Sequence, residues 1–275
     1  MIEKYYNGVI EQVAGGIGNV EHNSILVRYS NDFSIWDLES VNHYKDQTDI
    51  FFTCHEFSYN KIAEAYEPYL GLIRQMFHKY CSGTLEEFME ECDVYKLQRP
   101  VFESYFEKGF CERTEQILID EVEYEQERMR NSIVTMLQKL SEIRPVVIVL
   151  NRFQLASKST MQLSNSLLQV KNKNIGIVLG VNDVQSIPEF AHEEWDAICE
   201  SMDDRNMVYH IGNAGRNMEP DVMDYYSDYE SDDGYRKLNN LVYFLDFDQA
   251  DHHLSKIERR IKFDNFTISR SEERR

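Results

Sequence analysis

The sequence lacks the features of a secreted or membrane-spanning protein. No uninterrupted apolar run approaches the roughly 20 residues that a transmembrane helix requires. Residues 1–12 lack the basic end and the apolar stretch of a signal peptide. The five cysteines are scattered, odd in number and without a C-x-x-C pair, which indicates reduced thiols. We therefore expect a cytoplasmic protein that has no contact with the membrane.

Positive charge is scarce as well. The chain has 29 lysines and arginines against 48 aspartates and glutamates, a formal net charge of -19. Affinity for nucleic acid depends on lysine and arginine side chains that neutralise phosphates and release their counterions. We therefore expect no nucleic-acid partner.

Signatures of hydrolytic and metal sites are missing. The sequence contains no G-x-S-x-G turn, and residues 192–196, HEEWD, depart from the H-E-x-x-H zinc motif. The acidic stretch from Asp228 starts like a calcium loop, but Asp233 stands where that loop needs glycine. We expect neither a catalytic residue of these classes nor a metal site.

Short apolar runs alternate with helical patterns over most of the chain. The clearest run, Pro145 to Leu150, is continuously aliphatic, which is typical of a parallel strand buried on both faces. Further strands are predicted at 24–30, 49–54 and 175–181, and helices at 35–44, 60–80, 114–143 and 159–170. This alternation predicts an α/β fold with a parallel sheet and right-handed crossovers. The residues expected at the centre of its core are Val147, Val149, Ile177 and Leu179.

The C-terminal part of the chain differs in composition. Residues 219–233 contain seven acidic residues and no basic one, which predicts an acidic linker over 216–234. We expect residues 1–215 to form the α/β domain and residues 235–275 to begin a helical repeat or connector. No second repeat follows to cover its apolar face, so we expect that face to be incompletely buried and the sequence to belong to a longer protein. The face consists of Leu241, Phe244, Leu245 and Leu254.

Residues 145–168, PVVIVLNRFQLASKSTMQLSNSLL, resemble the Walker B strand and following helix of P-loop ATPases of the STAND and AAA type. In that family an aliphatic run precedes two acids, a Leu-His-Trp-Ala-Asp-like stretch, Ser-Thr and an amphipathic helix. The aliphatic run, Ser159-Thr160 and the helix stand at matching places. Asn151 and Arg152 stand where the family has its two acids.

The flanking segments resemble the same family. Residues 175–183 are similar to its next core strand, which ends at a polar sensor position, here Asn182. Residues 53–71 are similar to its second strand and the helix after it. The resemblance covers about residues 8–215 and implies a P-loop-like three-layer domain with a C-terminal helical extension.

The resemblance places the phosphate-binding turn at Ser30 to Asp37. This turn has neither the glycines nor the lysine of a G-x-x-x-x-G-K-[ST] loop. Asp32 and Asp37 would repel a triphosphate. The degenerate nucleotide-binding positions that the resemblance implies are Ser30, Asn31, Asp32, Ser34, Asn151, Arg152 and Asn182.

A second candidate phosphate loop is the glycine-rich turn formed by Gly15, Gly16 and Gly18, whose backbone could approach a phosphate closely. Residues 9–13 before it are weak as a core strand, and no lysine follows. Glu21 stands where the next helix would begin. The other interpretation is a flexible loop between an N-terminal helix and the first strand.

The resemblance implies a non-catalytic, ATPase-like regulatory or interaction domain of a cytoplasmic bacterial signalling protein, without a cofactor. Its partners would be other proteins or adjacent domains of a longer chain. STAND-like regions are often followed by tetratricopeptide-like repeats and then an output domain, which in some bacterial relatives resembles a diguanylate cyclase. One alternative is a STAND-type switch that binds ATP or ADP with Mg²⁺ through an atypical phosphate loop. Another is a structural domain of a multidomain enzyme.

Overall fold

Five parallel β-strands form the centre of the computed structural model. Their spatial order is β2-β3-β4-β1-β5, and each neighbouring pair runs in parallel. Helices lie on both faces of the sheet, so the prediction of an α/β parallel-sheet, three-layer domain is confirmed. The strands are β1 (Ser24–Tyr29), β2 (Phe51–Glu56), β3 (Val146–Asn151), β4 (Ile175–Asn182) and β5 (Val208–Ile211). The structure describes residues 2–18, 23–30, 34–45, 49–58, 61–111, 122–170, 172–183, 187–203, 207–211 and 232–255.

Helices account for most of the other described residues. None of the described helices combines the length and the hydropathy that crossing a membrane would require. Short 3-10 helices cover Ile35–Asp37, Phe153–Leu155 and Glu189–Ala191, and residues 247–255 are also helical. The α-helices are α1 (Ile2–Gly15), α2 (Glu39–Lys45), α3 (Tyr69–Tyr80), α4 (Leu85–Glu91), α5 (Arg99–Lys108), α6 (Val122–Ile143), α7 (Lys158–Gln169), α8 (His192–Asp203) and α9 (Asp232–Tyr243).

The sheet separates two apolar layers because successive side chains of a strand point to opposite faces. Helices α1 and α2 cover one face, where they pack on Val147 and Val149 of β3. Helices α3 to α8 cover the other face, which includes Ile177 and Leu179 of β4. All four side chains are at most 1% exposed, as the sequence predicted, although they belong to different layers. Right-handed crossovers explain why the helices divide between the two faces. The connection from β1 to β2 crosses the sheet in one direction, whereas those from β2 to β3, β3 to β4 and β4 to β5 run in the opposite direction.

Several predicted boundaries differ from the structure. Strand β2 begins two residues later than predicted, and the helix predicted at 35–44 consists of a 3-10 turn followed by α2. Only the second half of the helix predicted at 60–80 exists, as α3. Pro68 stands immediately before α3, where it has no N–H to donate and disfavours helical backbone in the residue before it. The described part of the helix predicted at 114–143 is α6.

Helix α9 packs into the same apolar layer as α3 to α8. Leu241 and Phe244 are fully buried, and the Phe244 ring contacts the rings of Tyr66, Phe102 and Tyr105. The expectation that this face is incompletely covered is therefore wrong for Leu241, Phe244 and Leu245, whereas Leu254 is half exposed. An aromatic cluster contributed by α5 and by the segment before α3 covers the face, and no local pattern revealed it.

The chain after α9 is also tied to the sheet domain by polar contacts. Asp246 is buried, and its carboxylate accepts a 2.9 Å hydrogen bond from the backbone N–H of Ser159 in the first turn of α7. Lys158 lies 2.6 Å from the carboxylate of Asp248. Residues 216–231 of the predicted acidic linker lie outside the described residues. The division into an α/β domain, a linker and a helical region stays a prediction.

Candidate functional site

The crevice between β1 and β4 is the point of the fold where a ligand is expected. These strands are neighbours, but the chain continues from β1 into α2 on one face and from β4 into α8 on the other face. In open α/β sheets, ligands bind outside the carboxyl ends of the strands at such a switch point. The candidate site is therefore the carboxyl edge of the sheet.

The structure brings several of the sequence-predicted residues to this edge. Asn151 is the last residue of β3, Arg152 follows it, and Asn182 is the last residue of β4. Ser30 follows β1, and its buried hydroxyl forms no hydrogen bond with a described residue. Ser34 precedes the 3-10 helix, and its hydroxyl caps that helix by accepting from Trp36 N at 3.3 Å. Asn31 and Asp32 lie outside the described residues.

Asn151 is fully buried between two tyrosines. Its Oδ1 accepts a 2.8 Å hydrogen bond from the Tyr29 hydroxyl, and its Nδ2 has no hydrogen-bond partner among the described residues. Gly180 makes room for this arrangement, because a Cβ there would lie 2.7 Å from Asn151 Oδ1 and would overlap the Tyr6 hydroxyl. Burial and the neighbouring Tyr29 hold the pKa of Tyr6 well above its usual value, so Tyr6 is a neutral phenol. The Asn151 amide is thus part of a packed, uncharged layer.

Glu56, the last residue of β2, occupies the position next to the 3-10 helix. Its Oε2 accepts a 3.2 Å hydrogen bond from Ile35 N and lies 3.4 Å from the Ser34 hydroxyl. Its Oε1 lies 3.3 Å from an Arg152 guanidinium nitrogen. The two donors that could bind an anion here, the Ile35 N–H and the Ser34 hydroxyl, therefore donate to a carboxylate of the protein itself. The sequence reasoning missed Glu56, although its place at the end of a predicted strand, paired with β3, was the signal that could have found it.

Arg152 is held in a left-handed backbone conformation, with φ 53° and ψ 41°. This conformation is uncommon for a residue other than glycine, and it turns the chain from β3 into the 3-10 helix Phe153–Leu155. In the structure the guanidinium pairs with Glu56, so this charge is balanced within the site.

Asn182, Gln154 and Ser157 form hydrogen bonds within the protein. The Asn182 N–H donates to Oε1 of the fully buried Gln154 at 3.2 Å. Ser157 caps α7, because its hydroxyl accepts from Thr160 N at 3.3 Å and donates to Glu64 O at 2.9 Å. These hydrogen bonds hold the carboxyl end of β4 and the start of α7 in place.

The mouth of the β1–β4 crevice carries an ion pair. Arg28 Nε lies 2.8 Å from Asp183 Oδ1, and the two side chains are about one-third exposed. Asp183 N also donates to Tyr29 O at 2.8 Å. These contacts join the ends of β1 and β4 across the expected ligand crevice.

The glycine-rich turn lies at the opposite edge of the sheet. Gly15 ends α1, and Gly18 N donates to Lys173 O at 2.7 Å, just before β4 begins. Residues 9–13 are helical rather than a strand, in agreement with an N-terminal helix before β1. The structure does not bring Gly15, Gly16 and Gly18 near Asn151 or Asn182.

Groups of three or more histidine, cysteine, aspartate or glutamate side chains placed to hold a metal ion do not occur in the described part of the chain. In comparisons with known proteins, no family model matches the sequence, and no curated protein is significantly similar to it.

Proposed function

We propose that this chain is a non-catalytic, ATPase-like regulatory or interaction domain of a cytoplasmic bacterial signalling protein. The observation that carries the proposal is the burial of Asn151, whose carboxamide oxygen accepts a hydrogen bond from Tyr29. The resemblance assigns a magnesium-binding acid to this position. An amide offers Mg²⁺ only a neutral oxygen, and Mg²⁺ requires octahedral oxygen coordination that includes several waters. A fully buried amide in a packed aromatic layer does not fit that requirement.

Glu56 and its contacts supply a second argument. Phosphate oxygens of a bound nucleotide would need the donors at Ser34 and Ile35, and the Glu56 carboxylate already accepts from both. Two anions in one site repel each other strongly in a partly buried environment. The residues present therefore do not fit a magnesium nucleotide.

An α/β fold in which Asn151 and Glu56 at the carboxyl edge bond to groups of the protein itself is suited to present surfaces rather than to transform a substrate. The partners that this proposal implies are other proteins or adjacent domains of a longer chain. Fold alone does not supply function, so the proposal depends on the named contacts of Asn151 and Glu56.

The test is magnesium-dependent phosphate release from ATP, measured on the full chain. We expect the unchanged protein and Asn151→Asp to release phosphate only at the background rate. Phosphoryl transfer also requires a lysine and a phosphate loop, and the turn from Ser30 to Asp37 has neither. Thermal denaturation of Asn151→Asp would verify that the variant is folded. Turnover that is lost in Ser34→Ala or Asn182→Ala would contradict the proposal and favour the nucleotide switch.

A further inference from the structure

Strand β2 lies at one edge of the sheet that the described strands form. Phe51 N donates to Pro145 O at 2.7 Å and Phe57 N donates to Asn151 O at 3.0 Å, so alternate residues bond to β3. The main-chain groups of the residues between them point away from β3. No described residue forms a hydrogen bond with these outer groups, which belong to Phe52, Cys54 and Glu56.

The sequence of β2 does not protect this edge against pairing. Edge strands are commonly protected by lysine, proline or a bulge. Residues 51–56, FFTCHE, contain neither lysine nor proline, and they pair with β3 in unbroken register. An added strand would therefore meet a regular hydrogen-bonding edge.

A groove of about 240 Å³ runs beside this edge on the α3 side of the sheet. Gly71 forms part of its wall, and the nearest atom to a Cβ built there is the Tyr105 hydroxyl, 3.9 Å away. A Cβ at position 71 is thus accommodated without a clash, and a longer side chain there would extend from the wall of the groove. The lining residues are Thr53, Cys54, His55, Glu64, Ala65, Glu67, Pro68, Gly71, Leu72, Gln75 and Tyr105.

The groove is acidic. Among its described lining residues, Glu64 and Glu67 are carboxylic acids and none is lysine or arginine, whereas Lys61 and Lys237 line the adjoining pocket that His55 and Glu67 share. Glu67 Oε1 lies 3.5 Å from His55 Nε2, but burial, with Lys61 nearby, lowers the pKa of His55 to about 4. The imidazole is therefore neutral at pH 7 and adds no positive charge. A cationic group complements this lining.

Hydrogen bonds hold both carboxylates in place. Glu64 Oε2 accepts from Asn240 Nδ2 at 2.7 Å, and Glu67 Oε2 accepts from the backbone N–H of Glu64 at 3.2 Å. Side chains that are already ordered lose little conformational entropy when a ligand binds. The groove is thus preorganised for a positively charged side chain.

We propose that the edge of β2 and this acidic groove form a docking site for an extended peptide segment that carries an arginine or lysine side chain. The segment would add a strand to the sheet through the main chain of Phe52, Cys54 and Glu56, and its basic side chain would enter the groove. When a peptide adds a strand in this way, main-chain hydrogen bonds supply the affinity and side-chain pockets supply the specificity. The acidic net charge of the protein would also attract a basic segment. The inference rests on the proposed function only in treating the chain as a binding module.

The test uses the full chain and the fluorescein-labelled, C-terminally amidated peptide Thr-Val-Thr-Arg-Thr-Val-Thr, in a fluorescence-polarisation titration. We expect saturable binding. We expect binding to weaken about tenfold or more when glutamate replaces the peptide arginine or when alternate peptide amides are N-methylated, since each change removes a charge-assisted or main-chain hydrogen bond. Acetyl-arginine amide alone should compete only weakly, because it lacks the strand.

Two pairs of protein variants locate the site. Glu67→Gln should weaken binding about tenfold through the loss of one charged contact, whereas Glu103→Gln, which removes an exposed charge from α5, should not. Gly71→Leu should abolish binding by filling the groove. Gly8→Leu, a change in α1 on the other face with no atom within 4 Å of the added Cβ, should bind normally.

The proposal is overturned if the labelled peptide does not bind, if the glutamate peptide binds equally well, or if Gly71→Leu, folded by circular dichroism, binds like the unchanged protein. Full competition by acetyl-arginine amide would replace it with a small-cation site. Because phosphate release and peptide binding are separate measurements, failure of this inference is distinguishable from failure of the proposed function.

Discussion

Replacing Glu56 with glutamine should destabilise the fold, because the carboxylate joins three segments at the carboxyl edge of the sheet. The Glu56 side chain is 10% exposed, and it contacts Ile35 N at 3.2 Å and Arg152 at 3.3 Å. Hydrogen bonds to charged groups contribute about 1.5–3 kcal/mol each. These contacts are long and Arg152 is 21% exposed, so solvent screening reduces their effect. We expect Glu56→Gln to lower the free energy of unfolding by about 1–3 kcal/mol.

Urea denaturation followed by circular dichroism measures this loss, and the chain offers a matched control. Glu90 lies 3.3 Å from Arg99, the same separation as in the Glu56 pair, but its side chain is 63% exposed. Glu90→Gln should therefore cost less than about 0.5 kcal/mol. A double-mutant cycle with Arg152→Met should give a coupling energy of about 1 kcal/mol. If Glu56→Gln is no more destabilising than Glu90→Gln, the carboxylate does not hold the edge together.

Three further predictions concern burial and pH. Gly180→Ala should cost about 1–3 kcal/mol because its Cβ would overlap the buried Tyr6 hydroxyl; an unchanged melting temperature would contradict this packing. The pKa of His55 is about 4 in the folded chain and about 6.5 when unfolded, so the unfolded state takes up the proton first as the pH falls. Stability should therefore decrease from pH 6.5 to 4, by up to about 3 kcal/mol from this group. His55→Gln should flatten that slope, and identical pH profiles would refute the assignment. Phe244→Ala, in the turn directly after α9, should cost about 3–5 kcal/mol, whereas Val242→Ala, at a half-exposed position near the end of α9, should cost less than about 0.5 kcal/mol in urea denaturation. Similar losses for both would mean that α9 does not belong to the core.

The sheet was predictable because its central strands carry a strong local signal. Continuous aliphatic runs mark β3 and β4, and both strands are buried along their whole length. Alternation with helices then leaves few topologies for a parallel sheet. Boundaries near Pro68 were less predictable, because the apolar spacing of Ile62 and Tyr66 imitates a helix although both residues are buried in irregular structure.

The candidate site was only partly predictable. The resemblance pointed to Asn151 and Asn182, which do lie at the carboxyl ends of strands. The role of Glu56 could not be read from spacing, because it depends on contacts with Ile35 and with Arg152, which is far along the chain. The burial of Phe244 depends in the same way on distant aromatic partners. Such long-range contacts leave no periodicity in a single sequence.

Isothermal titration of the full chain with Mg²⁺-ATP most directly tests the central claim, that Asn151 and Glu56 at the carboxyl edge are held by the protein's own groups rather than open to a nucleotide. With Glu56 on the donors at Ser34 and Ile35 and Asn151 buried under Tyr29, we predict no binding heat at nucleotide concentrations up to about 1 mM, which corresponds to a binding free energy weaker than about -4 kcal/mol. Micromolar, magnesium-dependent binding that Ser34→Ala abolishes would contradict the account, because it would require Glu56 to leave its place for a phosphate.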